Sequence, residues 1–87
     1  MTTAQVPNTP LLTPASAAML MAYVDDAPNW GGEPLLGGNI PFTAADRGNL
    51  TDLKRKGLLT TFSDAGDEWV QFTPAGLALA AELAATR

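Results

Sequence analysis

The chain predicts a mainly α domain of the α+β class, with three to four helices and a two-stranded β-hairpin. Three observations carry that prediction. Thr13-Pro14, Thr43 with Asp46, and Thr73-Pro74 each read as a helix start. Lys56-Gly57-Leu58 reads as a helix stop. Two short β-prone runs flank Asp64-Ala65-Gly66-Asp67 and read as a hairpin.

The elements follow in order. Residues 1–12 hold Pro7 and Pro10 among Thr, Asn and Gln without periodicity, so a loose arm is expected, with Leu11 and Leu12 packing at its end. The domain proper is expected over 13–87. At its first helix, the Thr13 hydroxyl can accept a free backbone N–H, and Pro14 has no N–H to leave unpaired. Ala17, Leu20, Met21 and Val24 then recur at helical spacing to about Asp26 and predict a core stripe, widened by Ala18 and Tyr23. The segment 27–41, APNWGGEPLLGGNIP, excludes long regular structure. Within it, Glu33–Leu36 is expected to form one helical turn ended by Gly37, with Trp30 and Ile40 folding back as core anchors.

The next helix is predicted over 43–56, opened by a capping box in which Asp46 replaces the usual Glu. Leu50 and Leu53 point one way, together with Phe42 and Leu58. Ala44, Arg47, Gly48, Thr51 and Arg55 share the opposite face. Runs 58–63 and 68–73 form the hairpin strands, with Val70 and Phe72 on one side and Trp69 and Gln71 on the other. In the last helix, about Pro74 to Ala85, Leu77, Ala80, Ala81 and Ala84 predict one stripe, with Leu79 and Leu83 displaced from it.

Composition limits the function. With 87 residues the chain makes one small domain. It has no Cys and no His, which removes disulfides, thiolate zinc sites and the commonest catalytic base. Ser16 and Ser63 therefore lack an imidazole to activate them, and no catalytic set or metal ligand set emerges; the reading is of a non-enzyme without cofactor. Asp25-Asp26 and Asp67-Glu68 read as solvated helix-end and hairpin charges. Trp30-Gly31-Gly32 and Gly37-Gly38 read as turns, for want of the Lys and strand-to-helix context of a phosphate loop. The start of the chain lacks a basic and apolar leader pattern, and no run reaches membrane-spanning length, so a cytoplasmic protein is expected.

The net charge is -4, yet four of the five basic residues, Arg47, Lys54, Arg55 and Lys56, fall within ten positions. Such a cluster can complement the helix dipole, contact nucleic acid, or meet an acidic protein. Trp69 on the hairpin suits core or dimer contact better than an exposed binding role.

Leu53-Lys54-Arg55-Lys56-Gly57-Leu58, a Gly-centred turn, and Phe72-Thr73-Pro74-Ala75-Gly76 stand in the order seen in winged helices. Across about 13–86 the chain resembles the winged helix-turn-helix core of the MarR and PadR families of bacterial regulators. The resemblance implies a DNA-binding transcription regulator whose helix 43–56 enters the major groove of double-stranded DNA. It places Thr43, Ala44, Arg47, Gly48 and Thr51 toward bases, and Lys54 and Arg55 on phosphates. The chain departs from the family in two respects. The wing tip is acidic, with Asp64, Asp67 and Glu68, and the helix before the recognition helix is reduced to a Pro/Gly-rich segment. A protein-interaction module or inhibitor, such as mobile elements encode, is the alternative. A homodimer through the N-terminal arm and last helix is expected, on the ground that Leu79 and Leu83 need cover.

Overall fold

The structure, a computed structural model, describes residues 12–86. Helix α1 (Pro14–Asp26) leads through a 3-10 turn (Ala27–Trp30) and an irregular segment to α2 (Ala44–Arg55). Strands β1 (Leu59–Asp64) and β2 (Asp67–Phe72) pair antiparallel, and α3 (Pro74–Ala85) follows. This is the expected α+β layout with a hairpin wing, with three α-helices among the described residues. The expected arm lies outside the described residues as far as position 11; Leu12 packs against the core. No helix among the described residues is long and apolar enough to cross a membrane.

All three helix starts form as the sequence chemistry dictates. The hydroxyls of Thr13, Thr43 and Thr73 accept from the backbone N–H groups of Ser16, Asp46 and Gly76. At α2 the box is complete, because the Asp46 carboxylate accepts in return from the Thr43 N–H at 2.8 Å. The hairpin closes through a two-residue turn. Ala65 and Gly66 both have positive φ, 55° and 85°, which matches the right-handed strand twist.

The core lies where α1, α2 and α3 meet the inner side of β2. Leu20, Tyr23, Leu53, Leu58 and Val70 are completely buried there, each contributing about 1.5–3 kcal/mol of apolar burial. Both helices flanking this core are rotated from expectation. In α1 the inward residues are Ser16, Met19, Leu20, Tyr23 and Asp26; Met21 and Val24 are half-buried and Ala18 is exposed. A helix so uniformly apolar offers two stripes of equal spacing, and the one with Tyr23 and Met19 buries more side-chain volume.

In α3 the inward residues are Gly76, Leu79 and Ala80, with Leu83 half-buried; Leu77 is 51% exposed. The reason is a backbone contact. A β-carbon at Gly76 would overlap the Leu58 carbonyl, so Gly76 must face the 57–58 joint and residues 79, 80 and 83 turn inward with it. Thr73 fastens the same joint, its hydroxyl donating to the Gly57 carbonyl at 2.6 Å and its N–H to the Leu58 carbonyl at 3.2 Å. The Lys-Gly-Leu and Thr-Pro-Ala-Gly sequences are therefore two halves of one contact.

The expected helical turn at 33–36 does not form. Leu35 pairs instead with Trp69; the Leu36 N–H donates to the Glu68 carbonyl at 2.9 Å, and the Val70 N–H donates to the Pro34 carbonyl at 2.8 Å. The outer edge of β2 has donors and acceptors to satisfy at these positions, and Pro34, which has no N–H, supplies only the carbonyl required.

Candidate nucleic-acid interface

Leu50 and Leu53 fix the rotation of α2 by entering the core, and the opposite side faces solvent as its polar spacing predicts. Thr43, Ala44, Arg47, Gly48, Thr51, Lys54 and Arg55 are all exposed. They form one surface about 18 Å long, given 1.5 Å per residue over twelve residues. The Thr51 hydroxyl donates to the Arg47 carbonyl at 2.9 Å, so outward it offers a methyl group and an acceptor lone pair.

The four clustered cations divide into two kinds. Lys56 is used by the fold: its Nζ lies 2.6 Å from Asp52 Oδ1. Asp52 also accepts from the buried Ser16 hydroxyl at 3.0 Å, so one carboxylate ties α2 to α1. The Lys56 bond, then the Ser16 bond, hold that carboxyl below its ordinary range. Arg47, Lys54 and Arg55 make no salt bridge among the described residues. Lys54 lies near enough to the hairpin for its charge to help lower the Glu68 carboxyl, after hydrogen bonds from Ser63 and Thr61. The cationic surface thus borders an acidic wing, at whose tip Asp64 and Asp67 are exposed.

Gly48 is unusual on this surface. It sits inside the helix, and a β-carbon there would meet nothing within 4 Å. Glycine costs about 1 kcal/mol relative to alanine at such a position, and no neighbour among the described residues requires it.

Two polar sites were not found from sequence. Ser16, buried inside α1, shares the inward stripe with Leu20 and Tyr23; correct rotation of that helix would have exposed it as a polar residue needing a partner. Asp26, read as a solvated helix-end charge, is buried. Its carboxylate accepts from Asn29 Nδ2 and Asn39 Nδ2 at 2.9 Å each, and from Trp30 Nε1 at 2.8 Å. Those donors, Asn39 foremost, hold its carboxyl below the ordinary range. Asp26 therefore organises the 27–39 segment where a helix was absent. Tyr23 assists by accepting the Gly37 N–H at 3.2 Å, and its burial raises the phenol above its usual value. Trp30, expected as a core anchor, is half-buried against Trp69, with ring centroids 5.8 Å apart at 70°; Ile40 does pack on the core.

Compared with protein-family models, curated proteins and solved structures, the chain gives no match, and its function rests on the reading of its own residues.

Proposed function

We propose that this protein is a small winged-helix DNA-binding regulator, related in design to the MarR and PadR regulators, that reads double-stranded DNA with α2 alone. The observation that carries the reading is the solvent face of α2. Arg47, Lys54 and Arg55 make no salt bridge there among the described residues and stand beside Gly48, while Lys56 is the cation committed to the fold. A B-DNA major groove admits one α-helix, and an arginine can bond guanine O6 and N7 in bidentate fashion. In this reading Thr43, Ala44, Arg47, Gly48 and Thr51 approach bases, and Lys54 and Arg55 meet phosphates.

Three cations per copy make binding weak and salt-dependent, with a log-log slope of about -3. A second copy would double the contacts. The homodimer now has a different motive: Leu79 and Leu83 face inward, and Leu77 with Ala78 and Ala81 forms the outward side of α3. The acidic wing favours a second reading, a winged helix that contacts a protein and not DNA. Fluorescence anisotropy with mixed-sequence duplex DNA at low salt separates the two. Binding by the wild type, reduced at least about tenfold in Arg47→Ala/Arg55→Ala, supports the DNA reading. Absence of wild-type binding, or an unchanged double variant, overturns it.

A further inference from the structure

The hairpin's outer side carries a feature that DNA binding does not use. Phe62 and Trp69 are cross-strand partners, so their rings lie on one face of the sheet. Trp30 stands against Trp69 at 70°. These three half-buried rings, with Glu33 and Asp64, line a cavity of about 200 Å³, smaller than the roughly 300 Å³ at which pockets for drug-sized ligands begin. Both indole N–H groups are already engaged, Trp30 by the Asp26 carboxylate at 2.8 Å and Trp69 by the Asp64 carbonyl at 3.2 Å. The rings are thereby fixed, and no indole donor remains for an anion. Ring faces and carboxylates remain. Glu33 uses one oxygen to accept from Gln71 Nε2 at 3.4 Å, and the Asp64 carboxylate makes no salt bridge among the described residues.

We propose that this cavity binds an alkylammonium head group, free or at the end of a lysine side chain. A cation over an aromatic face is attracted by the ring quadrupole, and quaternary or methylated ammonium groups are recognised by several such faces at once. Glu33 and Asp64 neutralise the charge, and Asp67, on the same face of the hairpin, raises the local cation concentration. The acidic wing tip, which repels DNA, is the rim of this site. The inference does not depend on whether α2 binds DNA.

The chain has two tryptophans, and both line the cavity, so intrinsic fluorescence and the two indole N–H resonances report occupancy directly. The probes are choline, its neutral carbon isostere 3,3-dimethylbutanol, and short peptides carrying lysine or trimethyllysine. Choline is expected to give a saturable change in both signals at about millimolar concentration, and the isostere none. Phe62→Leu is expected to weaken binding about fivefold and Glu33→Gln about threefold. Circular dichroism of each variant verifies its fold. Tighter binding of the trimethyllysine peptide than of choline assigns the head group to a protein partner; the reverse assigns it to a free amine. A linear, non-saturating response to choline, an equal response to the isostere, or undiminished binding in both folded variants overturns the proposal.

Discussion

On α2 the solvent side carries Arg47, Lys54 and Arg55; on the hairpin it carries Asp64, Asp67 and the aromatic corner of Phe62, Trp69 and Trp30. The two surfaces belong to one small domain and ask for opposite partners. On the helix, charge is presented on a bare face with a glycine between the arginines, which suits a broad anionic surface approaching closely. On the hairpin, charge rims a small aromatic cavity, which suits a compact cation. In a winged helix that grips DNA with both elements the wing would add cations to those of the recognition helix, whereas here Asp64 and Asp67 oppose them. Under the DNA reading proposed above, the attraction to phosphate would come from α2 and the wing would oppose it.

Both surfaces depend on one joint, so the largest expected effect comes from breaking it. Gly76→Ala would drive a β-carbon into the Leu58 carbonyl, the same carbonyl that accepts from Thr73. Helix propensity favours alanine by about 1 kcal/mol. Overlap with backbone, which cannot rotate aside, outweighs that and makes the net loss about 3 kcal/mol or more. Urea unfolding followed by circular dichroism measures it. An unchanged midpoint would mean that α3 does not seat on the 57–58 joint.

A smaller effect, on binding and not on folding, comes from reversing the wing. Asp64→Lys/Asp67→Lys changes two exposed side chains at the hairpin tip and leaves the Asp64 carbonyl free to hold Trp69. If α2 binds DNA, the reversed wing is expected to add about two phosphate contacts per copy, steepening the salt slope from about -3 to about -5 and tightening low-salt binding about tenfold. The same variant should lose choline binding. Opposite movement of the two activities would sharpen the contrast between the surfaces; DNA affinity that stays constant would show that the wing lies away from the duplex.

The sequence made α2 legible and left its neighbours ambiguous, for a physical reason. In α2 only Leu50 and Leu53 can enter a core, so polar spacing decides which face is exposed. In α1 and α3 nearly every position is apolar, and periodicity alone permits several rotations. What decided them lies far along the chain: Ser16 donates to Asp52, and Gly76 abuts Leu58. The extended 34–36 segment was hidden in the same way, since only the unpaired edge of β2 calls for it. Helix caps and the hairpin turn were readable because their partners lie two or three residues away. The aromatic corner was not, because Trp30 and Trp69 meet only after the 27–39 segment has folded around Asp26.

Gly48 allows the sharpest separation of fold from function, though its effect is the smallest. The residue lies within α2 and has no contact that a β-carbon would disturb. Gly48→Ala is therefore expected to stabilise the domain by about 1 kcal/mol, raising the melting temperature by roughly 4–8 °C for a domain of this size. Gly76→Ala, the same chemical change, moves stability the other way because a carbonyl stands where the methyl must go. If the surface of α2 approaches DNA closely, the added methyl group of Gly48→Ala enters the interface and weakens binding about threefold or more, although the folded state is more secure. Thermal unfolding and a DNA titration on the same preparation read both quantities. A gain in stability with undiminished affinity would place the contact nearer Arg55 than Arg47, and would leave the glycine a feature of the helix with no part in recognition.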